Sequence, residues 1–258
     1  SQQIARALEK KLRAAGVEIR LQHTITSLRD VPSARAVVFD LSAKQILNVL
    51  GPLLNPWVRA QLEKYRLGPG VFKVDYALSD PVPWKDPRVA LAGTVHIGGS
   101  LSTISRSERA VWRGGISEEP FLLGVQPSLF DPERAPEGKH VYWVYLHTPN
   151  GWSDDCLPVL EKQMERYAPG FQEVLLERAV RTASDYEAYN PNYIGGDILG
   201  GANTLRQVVA RPFPAKDPYH LGGNLFCCSA SVPPGGGVHG MGGYHTFRSL
   251  GRKVFRFF

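Results

Sequence analysis

The chain has 258 residues, 43% of them hydrophobic and 21% charged, which is enough for one large domain or two small ones. The formal net charge of +6 is spread through the chain, so no nucleic-acid partner is indicated. Three cysteines, two of them adjacent, exclude a closed disulfide framework and predict a reducing, cytoplasmic location, and no apolar run approaches the ~20 residues that span a bilayer.

The N-terminal segment follows an α/β pattern. Apolar residues at helical spacing predict a helix over residues 2–15. Alternating and compact apolar runs predict strands at 17–21 and 36–40. Ser42 is a suitable N-cap for the next helix, and Gly51 with the following proline ends it.

The middle of the chain is rich in predicted strands separated by proline and glycine. The predicted strands cover 71–78, 94–97, 121–126 and 141–147. Helices are predicted over 101–112, 157–167 and 171–178, and residues 181–220 form a loop-rich stretch. Aromatic side chains fill the strand at 141–147, which suits the wall of an apolar ligand pocket, although core packing is the commoner use of such a strand.

The densest glycine cluster lies at residues 233–243, between an apolar run at 224–229 and a terminal helix whose apolar residues include Phe247, Leu250, Val254 and Phe257. In a glycine loop between a strand and a helix N-terminus, no side chains cover the backbone N–H groups. These groups can then bind an anion or an electron-rich ring edge. Gly235, Gly237 and Gly240 formally satisfy G-x-G-x-x-G, but no second strand and no acidic residue follow, so the loop is not the start of a Rossmann unit. The alternative is a mobile loop with no ligand.

Other catalytic motifs are missing from the sequence. It contains no G-x-S-x-G elbow, Walker A loop, H-E-x-x-H or C-x-x-C, so hydrolase, NTPase and zinc-site interpretations have no support, and no metal is predicted. Among seven histidines, His239 stands out because it lies within the glycine loop. His96 stands out more weakly, at the end of a strand beside two glycines.

The segment 225–244, which reads LFCCSASVPPGGGVHGMGGY, resembles the C-terminal flavin-binding segment of the phytoene-dehydrogenase-like FAD-dependent oxidoreductases. These enzymes are relatives of carotenoid desaturases and isomerases within the amine-oxidase-like flavoproteins. Three further segments resemble the same family in the same order, at 126–140 (QPSLFDPERAPEGKH), 166–171 (RYAPGF) and 190–197 (NPNYIGGD).

The resemblance implies an α/β protein in two parts. A Rossmann-like FAD-binding part is assembled from residues 1–55 and 221–258, and residues 56–220 form a substrate domain on a mixed sheet. Such enzymes begin with a strand, a G-x-G-x-x-G loop and a helix that hold the FAD pyrophosphate, and this motif does not precede Ser1. We therefore expect a missing N-terminal half or a partner chain to complete the site.

The resemblance also implies a cofactor site and a substrate site. The residues expected to contact FAD are Pro234, Gly235, Gly236, Gly237, Val238, His239, Gly240 and Met241, with Tyr244 and Ser231 as weaker candidates. Substrate contacts are expected from His96, Tyr145 and His147, and no catalytic side chain is assigned.

The function implied is hydride transfer between a lipophilic, polyene-like substrate and flavin N5, with the protein supplying orientation and a dry pocket. The alternative is a non-catalytic relative that binds an apolar ligand or acts as a scaffold with a partner chain. Four basic residues and three phenylalanines cluster at 248–258. A solvated helix end is the default interpretation of this cluster, and a peripheral membrane contact is the other.

Overall fold

The computed structural model describes residues 2–256, so Phe257 and Phe258 of the predicted terminal helix lie outside it. Within that range the α-helices are α1 (Gln2–Ala14), α2 (Ala43–Leu50), α3 (Pro56–Glu63), α4 (Leu101–Trp112), α5 (Leu157–Tyr167), α6 (Ala183–Tyr189), α7 (Leu205–Ala210) and α8 (Met241–Leu250). The strands are β1 (Val37–Phe39), β2 (Gly70–Leu78), β3 (Val95–Ile97), β4 (Leu122–Val125), β5 (His140–Thr148), β6 (Leu175–Arg181), β7 (His220–Gly222) and β8 (Leu225–Cys227). The predicted α/β class is confirmed.

The strands form two sheets. The smaller has the order β1-β8-β7, with β1 parallel to β8 and β7 antiparallel to it. The larger has the order β3-β4-β5-β2-β6. Every neighbouring pair of the larger sheet is antiparallel across residues 2–256, so the expected mixed sheet is corrected to an antiparallel one.

Strand β5 shows how the larger sheet separates its two faces. Tyr142, Val144 and Leu146 are buried and join a core that contains the whole inner face of β2. The alternate residues Trp143, Tyr145 and His147 lie half-buried on the other face, because successive side chains of a strand point to opposite sides. Core packing, the commoner use, is thus shown for Tyr142, and a role of the other face in a ligand pocket stays a prediction.

A second core lies beside the smaller sheet. It is built from β1, α2, α3 and β8, with Phe39, Ile46, Leu62 and Cys227 among its buried members. Ser42 caps α2 by accepting a hydrogen bond from the amide of Gln45, as its position in the sequence predicted. The division into residues 1–55 with 221–258 and residues 56–220 remains a prediction.

Two predicted elements are wrong. Residues 17–21 are not a strand, because no strand of residues 2–256 pairs with them, and Leu21 is 79% exposed. Residues 171–178 are not a helix, since a short turn leads into β6 at the edge of the larger sheet. The apolar spacing of Leu175, Leu176, Ala179 and Val180 imitates a helix, although backbone pairing with β2 decides the structure.

Two segments differ in part from expectation. The loop-rich stretch 181–220 contains the short helices α6 and α7. The predicted N-terminal helix is present as α1, but its apolar residues Ile4, Leu8 and Leu12 are exposed. None of the helices in residues 2–256 combines the length and the apolar character that crossing a membrane requires.

Candidate functional site

The glycine loop, residues 233–240, connects β8 to α8 as predicted. Gly235, Gly237 and Gly240 have φ values of 105°, 153° and 65°, which favour glycine. Pro234 and residues 236–240 are exposed, and the side chain of Val238 is 105% exposed. A Cβ atom on Gly240 would meet no other atom within 4 Å. The loop thus offers open backbone that a flat ligand can approach closely.

The buried side chain of Arg211 lies next to the glycine loop and supports it. The guanidinium is 3% exposed and donates from Nε to the carbonyl of Gln207 (3.1 Å), from Nη1 to the carbonyl of Ala230 (3.1 Å) and from Nη2 to Oδ1 of Asn203 (2.9 Å). Gly235 packs against it, since a Cβ there would lie 2.7 Å from Nη1. Glycine is needed at this position for both its space and its φ.

Helix α8 is held close to β8. Thr246 donates from Oγ1 to the carbonyl of Cys227 (2.7 Å), and a Cβ on Gly242 would collide with the carbonyl oxygen of Cys228. The amide of Met241 donates to Nδ1 of His239 (3.0 Å). The first-turn amides of a helix have no intrahelical acceptor, and the helix dipole favours negative charge there. The N-terminus of α8 can therefore hold an anionic or electron-rich group next to the exposed loop.

Of the two weaker candidates for FAD contact, one is buried and the other is exposed. Ser231 is 1% exposed, and its Oγ donates to the carbonyl of Gly200 (2.9 Å) and accepts from the amide of Ala43 (3.1 Å). Its side chain is therefore committed to protein partners beneath the loop. Tyr244 is 51% exposed on the first turn of α8, with its ring 5.2 Å from that of His245, and stays available to a ligand.

Residues 198–203 form a bridging segment between the glycine loop and a side cavity of about 170 Å³. The cavity is lined by Pro69, Val71, Glu108, Trp112, His147, Ile198, Leu199 and Asn203. Leu199 contacts both sides, because its carbonyl oxygen is 3.2 Å from where a Cβ on Gly236 would stand. Leu199 thus lies beside both the loop and the cavity.

A histidine and a carboxylate face each other in the side cavity. Nδ1 of His147 on β5 lies 2.9 Å and 3.1 Å from the two carboxylate oxygens of Glu108 on α4. The ring of Tyr145 is 5.8 Å from that of His147. Burial, with the charge of Glu108 as a smaller cause, raises the pKa of Tyr145.

The structure therefore brings together two of the three predicted substrate contacts. His96 lies in the same cross-strand row as Tyr145 but two strands away, with its ring 5.5 Å from that of Phe121. It does not line the side cavity. Glu108 and Arg211 were missed, because no local pattern marks a residue whose partner comes from a distant part of the chain.

Another opening lies beside β1 and carries none of the predicted site residues. It is a groove of about 520 Å³ lined by residues 18–41, among them His23, Val38 and Asp40. Across residues 2–256, no group of three or more metal-ligating side chains is close enough to hold an ion.

Comparison with known proteins gives several relatives, although no protein-family model matches the chain. A mouse protein, pyridine nucleotide-disulfide oxidoreductase domain-containing protein 2, is 33% identical over 165 residues, which are 56% of this chain and 26% of the mouse protein. The 4,4'-diapolycopen-4-al dehydrogenase of Metabacillus indicus is 30% identical over 131 residues, covering 48% of this chain and 26% of the enzyme. The neurosporene-forming phytoene desaturase of Rhodobacter capsulatus is 25% identical over 194 residues, covering 70% of this chain and 36% of the desaturase.

These relatives are oxidoreductases by name, so the chain is similar to that class of protein. More narrowly, the resemblance to the phytoene-dehydrogenase-like oxidoreductases is confirmed at low sequence identity. The chain spans about a quarter of the length of the first relatives it matches. Among solved structures, an oxidoreductase from Methanosarcina mazei is similar with a TM-score of 0.44 and 14% identity, covering 86% of this chain and 44% of that one.

Proposed function

We propose that this chain is part of an FAD-dependent oxidoreductase that acts on a lipophilic, polyene-like substrate. The observation that carries the proposal is the bridging segment, through which Leu199 contacts the glycine loop on one side and lines the side cavity on the other. A cofactor on the loop and a substrate in the cavity would then lie on opposite sides of one residue. Sequence similarity to enzymes named as dehydrogenases and desaturases supports the same class of reaction.

The residues of the loop fit a flavin. The exposed backbone from Gly236 to Gly240 and the first turn of α8 would hold the ring edge, with His239, Met241 and Tyr244 beside it. A bound flavin supplies a hydride acceptor at N5. The chain contributes a fixed loop, held by Arg211, and a helix dipole that stabilises negative charge on a reduced ring.

The side cavity fits one part of a lipophilic substrate. Five of its lining residues are apolar, including Val71 on β2 and Trp112 on α4. Apolar walls bind an apolar chain and exclude water, which hydride chemistry requires. Of the predicted substrate contacts, His147 lines the cavity, and the ring of Tyr145 lies beside it without lining the cavity.

The experiment is a flavin analysis of the full-length protein. The purified protein should show a flavin absorption spectrum, and anaerobic addition of polyenes or reduced quinones should bleach it. Absence of flavin from protein refolded with FAD would overturn the proposal. Binding of an apolar ligand without any flavin would instead favour the alternative of a binding or scaffold protein.

We also propose a peripheral membrane contact through α8 and the segment that follows it. Arg248 and Arg252 are exposed there, and Phe247 is 52% exposed on the same helix. Basic and aromatic side chains at the end of a helix suit the surface of an anionic bilayer. The full-length protein should co-sediment with phosphatidylserine vesicles and lose this binding when both arginines are replaced by glutamine. Lack of binding by the unaltered protein would end this proposal.

A further inference from the structure

The side cavity is lined by five apolar residues and three polar ones. The polar residues are Glu108, His147 and Asn203. The side chains of His147 and Glu108 are half-buried, at 24% and 33% exposed. A hydrocarbon filling this cavity would cover polar atoms without offering them a hydrogen bond, which is costly.

Glu108 fixes the chemistry of the imidazole. An ionised carboxylate only accepts hydrogen bonds, so a neutral His147 carries its proton on Nδ1 and keeps Nε2 as an acceptor. No residue in the described range 2–256 hydrogen-bonds to Nε2. Because His147 lines the cavity, its imidazole offers an acceptor, Nε2, that has no hydrogen-bond partner among the described residues.

The size of the cavity limits what fits there. At about 170 Å³ it is close to the ~150 Å³ cavity that holds one benzene molecule. It can therefore receive one end of an elongated molecule and not the whole of it. The rest of such a molecule must lie outside the cavity.

We propose that the side cavity binds the hydroxyl-bearing end of a lipophilic substrate, with the hydroxyl donating a hydrogen bond to Nε2 of His147. Glu108 is the positioning residue, which holds the imidazole through Nδ1. A site that bonds a hydroxyl disfavours the analogue that lacks it, because the bound analogue covers the acceptor and leaves it unpaired. The substrate class is thereby narrowed from hydrocarbons to lipophilic compounds that carry a hydroxyl group.

This inference rests on the proposed function, which assigns the side cavity to the substrate. Its test measures binding and needs no redox turnover. The probes are geraniol and 2,6-dimethyl-2,6-octadiene, which share a carbon skeleton and differ in one hydroxyl. Calorimetric titration of the full-length protein should give roughly tenfold tighter binding of geraniol, the upper end of what one hydrogen bond contributes. The His147 side-chain nitrogen signals should shift in NMR spectra with geraniol and stay unchanged with the hydrocarbon.

Three variants make the test specific. His147→Phe keeps an aromatic ring of similar size and should remove the preference for geraniol. Glu108→Gln should weaken the preference and alter the Nδ1 signal, while His140→Phe, at the far end of β5, should leave both unchanged. Equal affinities for the two probes, no binding of either, or a preference that survives in His147→Phe would overturn the inference. Flavin content, measured on the same samples, reports separately on the proposed function.

Discussion

At the scale of single residues, the position of Arg211 explains how an exposed glycine loop keeps its shape. Its guanidinium joins Gln207 of α7, Ala230 before the loop and Asn203 of the bridging segment. A buried cation that bonds three separate parts of the chain fixes their relative positions, and it also places positive charge beneath Gly235. The loop and the cavity wall are therefore tied by one side chain.

We expect Arg211→Met to lower the free energy of unfolding by about 3 kcal/mol, because it leaves three acceptors without their donor. Urea denaturation measures the change. Arg206→Met, at an exposed position of α7, the helix that Arg211 directly follows, is the matched control and should change stability by less than about 0.5 kcal/mol. Equal effects of the two substitutions would contradict the role of Arg211.

The cysteines permit a prediction on pH. Burial raises the pKa of Cys156 and Cys228 to about 11, and it raises that of Cys227 further. The thiolate is therefore rarer in the folded than in the unfolded chain. We expect iodoacetamide at pH 8 to alkylate the native protein slowly and the urea-unfolded protein quickly, as counted by mass spectrometry.

The same shifts set the sign of the pH dependence of stability. The thiols contribute their full stabilisation below the unfolded pKa of about 9. As the pH rises from 9 towards 11, the unfolded state loses its thiol protons first, and stability falls. A thiol that reacts equally fast before and after unfolding would contradict the burial of that residue.

At the scale of elements, the approach of α8 to β8 depends on glycine at a single position. A Cβ on Gly242 would collide with a backbone carbonyl that cannot rotate away, whereas a Cβ on the adjacent Gly243 would meet nothing within 4 Å. The packing of α8 therefore requires glycine at position 242, whereas position 243 has room for a side chain.

We expect Gly242→Ala to destabilise the protein by about 2 kcal/mol, the range for forced overpacking. Gly243→Ala should be neutral or stabilising by up to about 1 kcal/mol, because alanine favours helix more than glycine does. Thermal or urea unfolding compares the two variants directly. A stable Gly242→Ala variant would show that α8 does not pack on β8 in this way.

Strong local patterns made several elements predictable. The sequence predicted α4 and α5 with their observed bounds, because both show apolar residues at helical spacing. It predicted β2 and β5, since both alternate apolar and polar positions or carry aromatic residues on each face. It failed for β6, whose side chains are mostly exposed and whose structure comes from pairing with β2.

At the scale of the whole molecule, the loop was predictable and the cavity was not. Residues 233–240 are contiguous, so the glycine-rich run between a predicted strand and a predicted helix indicated a candidate cofactor loop. Glu108 and His147 are 39 residues apart and meet only because α4 packs beside β5. No spacing rule links a helix to a strand in this way, so the pair could be found only in the folded chain.

The central claim is that the glycine loop holds a flavin, and flavin retention by a matched pair of loop variants tests it most directly. Gly240 and Gly223 have φ values of 65° and 56°, and a Cβ on either would meet nothing within 4 Å. Asparagine tolerates such backbone angles, so both Gly240→Asn and Gly223→Asn should fold. We predict that full-length Gly240→Asn loses its flavin absorbance while Gly223→Asn keeps that of the unaltered protein. Full flavin retention by Gly240→Asn would contradict the claim.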